Sequence, residues 1–356
     1  LVLNGIPFIG GHSFTVNDTG GNITQTAAIS AGSLNATATS GGITLTNSGN
    51  AVGAASFTAT SDVSFADSVG FTLGGASLAG HTLTLSDTGG SISQGSGAGN
   101  AIIASTLVAT TGPSAGAIML TNASNAVGSV SFSSTGDVSF YDTAALTLNG
   151  ASLAGHTLTL TDTNASGITE GTGASNAIVA GSLVASDNNG AITLTNVSNS
   201  VGNASFAAGG NVSFFDTAAL TINGASVSGY TCAVTDMNSI NQGSAVSDAI
   251  VASTLNANAQ SGSITLSNTY NSVGAATFSA GGDVTFYDTA ALTLNGASLS
   301  GHMLTLTDTS AGGIGQGGGS SNAIIASALN ATDTNGAITL TNTSNAVSDH
   351  ITRRRS

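Results

Sequence analysis

Four histidines, His12, His81, His156 and His302, each follow a glycine at matching places along the chain, and Tyr230 fills the fifth such place. Recurring imidazoles suggest a metal, because zinc takes histidine nitrogens ~2 Å from the ion. Aspartates recur as well. Asp18, Asp87, Asp162, Asp236 and Asp308 form one line, and Asp67, Asp142, Asp216 and Asp288 form another. Carboxylates in series suit calcium, which takes six to eight oxygens. They also suit turns, since an Asp side chain bonds the backbone just beyond it. In the second line an aromatic residue often precedes the acid, giving Tyr141-Asp142, Phe215-Asp216 and Tyr287-Asp288. Ring and carboxylate side by side would make a glycan-contact stripe. Cys232 is the only cysteine and sits where sister segments carry Leu83, Leu158 and Leu304. It therefore reads as a small core residue.

The elements that hold these residues are set by repetition. Ile43-Thr44-Leu45-Thr46-Asn47 recurs from Ile118, Ile192, Ile264 and Ile338, at spacings of 75, 74, 72 and 74 residues. A period of this kind decides the architecture. Within each unit, smaller segments share a plan of apolar-x-apolar strand, Gly/Asp/Asn turn and second apolar-x-apolar strand. Their first anchors run from Phe14 through Leu34, Phe57, Leu83 and Leu107 to Leu329, in steps of 20 to 26 residues. The alternation has period two, which buries one face of each strand. Gly, Asn, Thr and Ser are poor helix formers. Strands this short are unstable alone and must stack into a common core. The expected fold is all-β: a right-handed parallel β-helix, or solenoid, of about 14 coils with three short strands per coil. It covers residues 1–347 in ~74-residue repeats of three coils each, and residues 348–356 form a non-repeat tail.

That geometry bears on the chemistry. Histidines three coils apart stand about 14 Å from one another along the stack, too far to share an ion. The aspartates become turn residues, with calcium the one cofactor to weigh. Asn47, Asp67 and Gln94 are expected on consecutive coils as a polar ladder. Outward Thr44 and Thr46 resemble an ice-binding array, but Ser64, Ala66 and Ser93 break it. Glu170 is the only Glu, and the coils carry no Lys or Arg to assist carboxylate chemistry, so no enzyme is expected.

Composition narrows the partners. The net charge is −14, and the three basic residues are Arg353, Arg354 and Arg355. A nucleic-acid binder needs a basic footprint, so nucleic acid is excluded. No stretch reaches the ~18 apolar residues of a membrane helix. The chain begins mid-repeat, without a signal peptide, as a piece of something longer would. Asn-x-Ser/Thr triplets, Asn22 and Asn330 among them, permit glycosylation. Uncapped solenoid edges favour end-to-end self-association.

Gly-x-Ile-Thr-Leu-Thr-Asn, Ala-Leu-Thr-Leu-Asn-Gly-Ala-Ser-Leu-Ala-Gly and Leu-Thr-Leu-Thr-Asp-Thr-x-Gly-x-Ile-x-Gln are similar to repeats of bacterial exoproteins of the filamentous-haemagglutinin type. Those are exported by two-partner secretion, and some autotransporter passengers look alike. The resemblance implies a stalk segment of a secreted or surface-displayed adhesin, meeting host or neighbouring-cell glycans or proteins in adhesion or biofilm contacts. A carbohydrate-binding or carbohydrate-processing β-helix is the alternative, with Tyr141, Asp142, Phe215, Asp216, Tyr287 and Asp288 as its contact stripe.

Overall fold

The computed structural model describes residues 1–4, 9–114 and 116–354. The chain is an all-β parallel β-solenoid of about 16 turns. It divides into two units, Leu1–Ser182 and Leu183–Ser356. The reason for strands rather than helices is visible in any of them. Val63–Asp67 buries positions 63, 65 and 67 and leaves 64 and 66 partly exposed. Inward Val, Ile, Leu and Phe are branched or broad side chains that fit a pleated, half-buried surface.

In each unit two main stacks of strands run beside a third, shorter line of pairs, such as 76–78 with 102–104 and 103–104 with 126–127. In Leu1–Ser182 the first stack runs through Ile23–Gln25, Ile43–Leu45, Val63–Asp67 and then residues 83–87 and 107–111. The second runs through residues 33–38, 54–59 and 71–73, then Ile92–Gln94, Ile118–Leu120 and Val138–Asp142. All pairing is parallel, with Ile23 on Ile43, Ile43 on Val63, Val63 on Leu83 and Leu83 on Leu107. Each of these side chains is 0% exposed. Phenylalanines bridge the core between stacks: Phe57 meets Phe65 at 5.3 Å, and Phe132 meets Phe140 at 5.7 Å. Such tilted aromatic pairs add packing energy beyond area alone.

The count of about 16 turns differs slightly from the expected 14 coils, and the pairing shows where the difference arises. From Ile43 the chain makes three turns to Leu107 by way of Val63 and Leu83. Ile118, which opens the next copy of the motif, lies half a turn further on, in the other stack. One repeat therefore spans three and a half turns. The unit Leu183–Ser356 behaves alike. Ile192 pairs with Val212 in one stack, and Ile264 pairs with Ile240 and Val284 in the other. Ile338 bridges to Ile314, back in the stack of Ile192. Seventeen-residue strands carry the exchange. Phe71–Asp87 starts in one stack and ends in the other, and Leu146–Asp162, Leu220–Asp236 and Leu292–Asp308 do the same.

Each of those long strands turns at a glycine with positive φ: Gly75 (107°), Gly150 (96°), Gly224 (103°) and Gly296 (106°). A Cβ on Gly150 would lie 2.7 Å from the Ser175 carbonyl oxygen. Both the dihedral and the close approach require glycine there. At the C-terminal side, the backbone of Ala346–Arg354 pairs in register with Ile324–Asp333, so the boundary expected at Val347 falls inside a strand. Parallel backbone pairing makes little demand on side-chain identity, which is why the repeat motif can lapse while the strand continues.

Candidate functional site

The aspartates are the most unusual feature of the interior. Asp67, Asp142, Asp216 and Asp288 extend the inward alternation of their strands and are 0–1% exposed. Asp67, Asp142 and Asp216 each accept two backbone N–H bonds, and Asp288 Oδ1 accepts one, from Val273 N at 2.9 Å. Asp67 Oδ1 takes Val52 N at 2.9 Å, and Oδ2 takes Val69 N at 3.1 Å. Asp142 does the same with Val127 and Ala144, and Asp216 with Val201 and Ala218. The bond two residues onward is the expected turn bond. The bond fifteen residues back was not foreseen, and it ties the turn to the start of the preceding strand.

The two lines of aspartates meet. In parallel register Asp67 sits beside Asp87, Asp142 beside Asp162, Asp216 beside Asp236, and Asp288 beside Asp308, which itself sits beside Asp333. Burial is the main force on their protons. It raises the Asp142, Asp216 and Asp288 carboxyls to about 7 and those of Asp67 and Asp308 to about 6, against the backbone bonds, and the stacked neighbour adds to the rise. No group of three or more His, Cys, Asp or Glu among the described residues is placed to hold a metal ion.

The expected ladder of Asn47, Asp67 and Gln94 does not form, because the half-turn offset sends Gln94 to the other stack. Gln94 instead meets Asn125, an amide the sequence reading missed. Asn125 is 0% exposed. Its Oδ1 accepts from Gln94 Nε2 (2.7 Å) and Ile102 N (2.8 Å). Its Nδ2 donates to Gln94 Oε1, Leu120 O and Tyr141 O at 3.1–3.2 Å. Gln25 with Asn50 and Gln242 with Asn271 repeat the arrangement. The signal was present in the sequence as an Asn three residues after the Thr-Asn or Ser-Asn that ends each motif.

The histidines lie at exposed corners. His81 Nδ1 is 3.8 Å from Asp62, His156 is 3.7 Å from Asp137, and His302 is 3.6 Å from Asp283. Each of these aspartates also accepts the backbone N–H that follows the histidine. Where Tyr230 replaces His, Asn211 replaces Asp and keeps that backbone bond to Thr231 N. His81 precedes the residues of one stack and His156 those of the other, so these two lie further apart than the coil spacing alone implies. Cys232 is buried, and burial pushes its thiol up to about 12.

The aromatic residues of the expected glycan stripe are half-buried on outward positions. Phe215 pairs with Thr235 in one stack, and Tyr287 pairs with Thr307 in the other. Tyr141 pairs with Thr161. Within the second unit the two rings therefore do not line up, and Asp142, Asp216 and Asp288 point into the core rather than toward a surface ligand. Outward hydroxyls do pair from turn to turn: Thr106 with Ser129 at 3.0 Å, and Thr147 with Thr169 at 3.1 Å. A shallow groove of about 450 Å³ lies beside Gly150, lined by Thr110, Ser131, Ser133, Asn149 and Ser175 among others. One of about 300 Å³ recurs beside Gly224, with Ser186, Ser205, Asn223, Ser226 and Ser247.

A model of the family described as repeats of unknown function (DUF5649) matches residues 8–59, 60–133 and 209–280, more than half of the sequence. The chain belongs to this family. Comparison with curated proteins and with solved structures gave no match. The DUF5649 segment 60–133 is one repeat long and, by the pairing above, three and a half turns deep. No helix among the described residues is long and apolar enough to cross a membrane.

Proposed function

We propose that this DUF5649 array is a structural stalk segment of a secreted or surface-displayed bacterial exoprotein, serving adhesion or biofilm contacts with host or neighbouring cells and doing no chemistry of its own. One observation carries the reading. The aspartates and amides that recur at the ends of the inward-facing strands are buried and joined to backbone from turn to turn, as in Asn125 and Asp142. Side chains so occupied stiffen a stack. The similarity of the repeat wording to filamentous-haemagglutinin-type exoproteins supplies the cellular setting. In the test, cells display the full-length protein with or without residues 1–347, and adhesion is scored alongside surface-glycan and protein binding by the purified array. A stalk gives lost adhesion on deletion and no saturable binding by the array alone. Unchanged adhesion after deletion would count against it.

The Ser- and Asn-lined grooves beside Gly150 and Gly224 favour one second reading, a carbohydrate-binding solenoid. Saturable binding of a soluble glycan by the purified array, weakened by Asn149→Ala or Asn223→Ala, would select it over the stalk.

A further inference from the structure

Parallel in-register strands hold successive turns about 4.8 Å apart. Two carboxyl groups stacked at that spacing, sealed from water, cannot both carry a charge without strong repulsion. The Asp67–Asp87 row meets those conditions. Both residues are 0–1% exposed, they are cross-strand partners, and Asp87 Oδ2 is buried with no hydrogen-bond partner. Its Oδ1 accepts from Gly89 N and Gly90 N. The next rung is Thr111, which bonds Ser134 and the Gly116 carbonyl. The other titratable groups on these strands are Asp62 and His81, at the exposed opposite ends.

The pattern recurs in the second unit. Asp216 and Asp236 are fully buried partners, flanked by Ala259 on the next strand, with the buried thiol of Cys232 and exposed Tyr230 earlier on the Asp236 strand. Asp288, Asp308 and Asp333 form a row of three, all 0% exposed, and Oδ2 of each is buried without a partner. Asp283 and His302 occupy the exposed starts of two of those strands. The strand beyond carries Asp349, His350, Arg353 and Arg354, with the Arg354 backbone in register with Asp333.

We propose that each of these buried rows of stacked carboxyl groups retains at least one proton in the folded chain at pH values where the unfolded chain has lost it, so that the solenoid is an acid-tightened structure that loosens as the medium becomes alkaline. The sign follows from linkage. The folded state binds protons that the unfolded chain has released, so stability is greatest below the unfolded carboxyl value of 3.8 and falls as pH rises. The fall is complete once pH passes the folded values of about 6 to 7. The core rows thus make turn-to-turn cohesion depend on ambient acidity without any ligand.

The test combines thermal unfolding across pH 4 to 9 with infrared spectroscopy of the full chain. The expected result is a Tm lower at pH 8 than at pH 5 by roughly 5–10 °C. A protonated-carboxyl stretch should persist at pH 6 in the folded chain and vanish on unfolding at that pH. Asp87→Asn keeps the acceptor for Gly89 and Gly90, puts an NH₂ where Oδ2 has no partner, and removes the charge beside Asp67. It should flatten the pH dependence and raise Tm at pH 8. A Tm that is level or rising from pH 5 to pH 8 would overturn the proposal, and so would a folded chain with no protonated-carboxyl band at pH 6. The spectroscopic arm decides the matter even if the variant fails to fold.

Discussion

Replacing Asn125 with alanine is expected to be among the costliest single changes available in Leu1–Ser182. The side chain is fully buried and makes five hydrogen bonds. Truncation leaves the Ile102 N–H, the Leu120 and Tyr141 carbonyls and both ends of the Gln94 amide short of a partner. Each buried group left unsatisfied costs about 1–3 kcal/mol. Some will find water or a neighbour, since Gln94 Nε2 also donates to Asn100 O at 2.9 Å. A net loss of about 3–5 kcal/mol follows, at the upper end for point changes. Urea unfolding measured by circular dichroism should show a lower midpoint with an unchanged slope. The partly exposed Asn35, bonded only to Ser13 Oγ at 3.3 Å, serves as the control, and Asn35→Ala should move stability by less than ~0.5 kcal/mol. A double-mutant cycle with Gln94→Ala should return a coupling of at least ~1 kcal/mol. If Asn125→Ala costs under ~1 kcal/mol, the inward amides do not hold successive turns together, and the support they lend to the stalk reading is gone.

Three further outcomes are expected. Phe140→Ala removes a ring 1% exposed and 5.7 Å from Phe132, and should cost about 3–5 kcal/mol in the same unfolding assay. Gly150→Ala meets both the positive φ and the Ser175 carbonyl at 2.7 Å. It should cost ~2–3 kcal/mol, while alanine at Gly99, which has open space, should be close to neutral. The exposed corner pair tolerates exchange. His156→Tyr combined with Asp137→Asn copies the Tyr230 and Asn211 corner and should leave Tm within about 2 °C of the parent.

The strand type, the parallel stacking and the inward positions could be read from the period-two alternation around anchors such as Val63 and Leu83, because burial of alternate residues is a local property of the chain. The number of turns could be read only approximately, 14 expected against about 16 found. Ile43 and Ile118 carry the same motif but stand in opposite stacks, and a motif search sees them as equivalent. Only pairing partners, which are non-local, reveal the half turn between them. The same blindness hid the Asp67–Asp87 contact. Both residues were visible as turn-formers at strand ends, but not as buried partners. Their adjacency depended on the offset. Asn125 was missed for a different reason. It lies in a turn, where Asn is common, and nothing local distinguishes a buried amide from a solvated one.

The half-turn step gives repeat number a geometric parity. Adding a single repeat to such an array would turn every downstream feature to the opposite side of the solenoid. Adding two would restore its bearing and change only its distance. Recombination between near-identical repeats, which adds or removes whole copies, would therefore re-aim as well as lengthen. The corner His81–Asp62 and its counterpart His156–Asp137 already adjoin different stacks. A lineage that needs one bearing kept constant should vary its repeats in pairs.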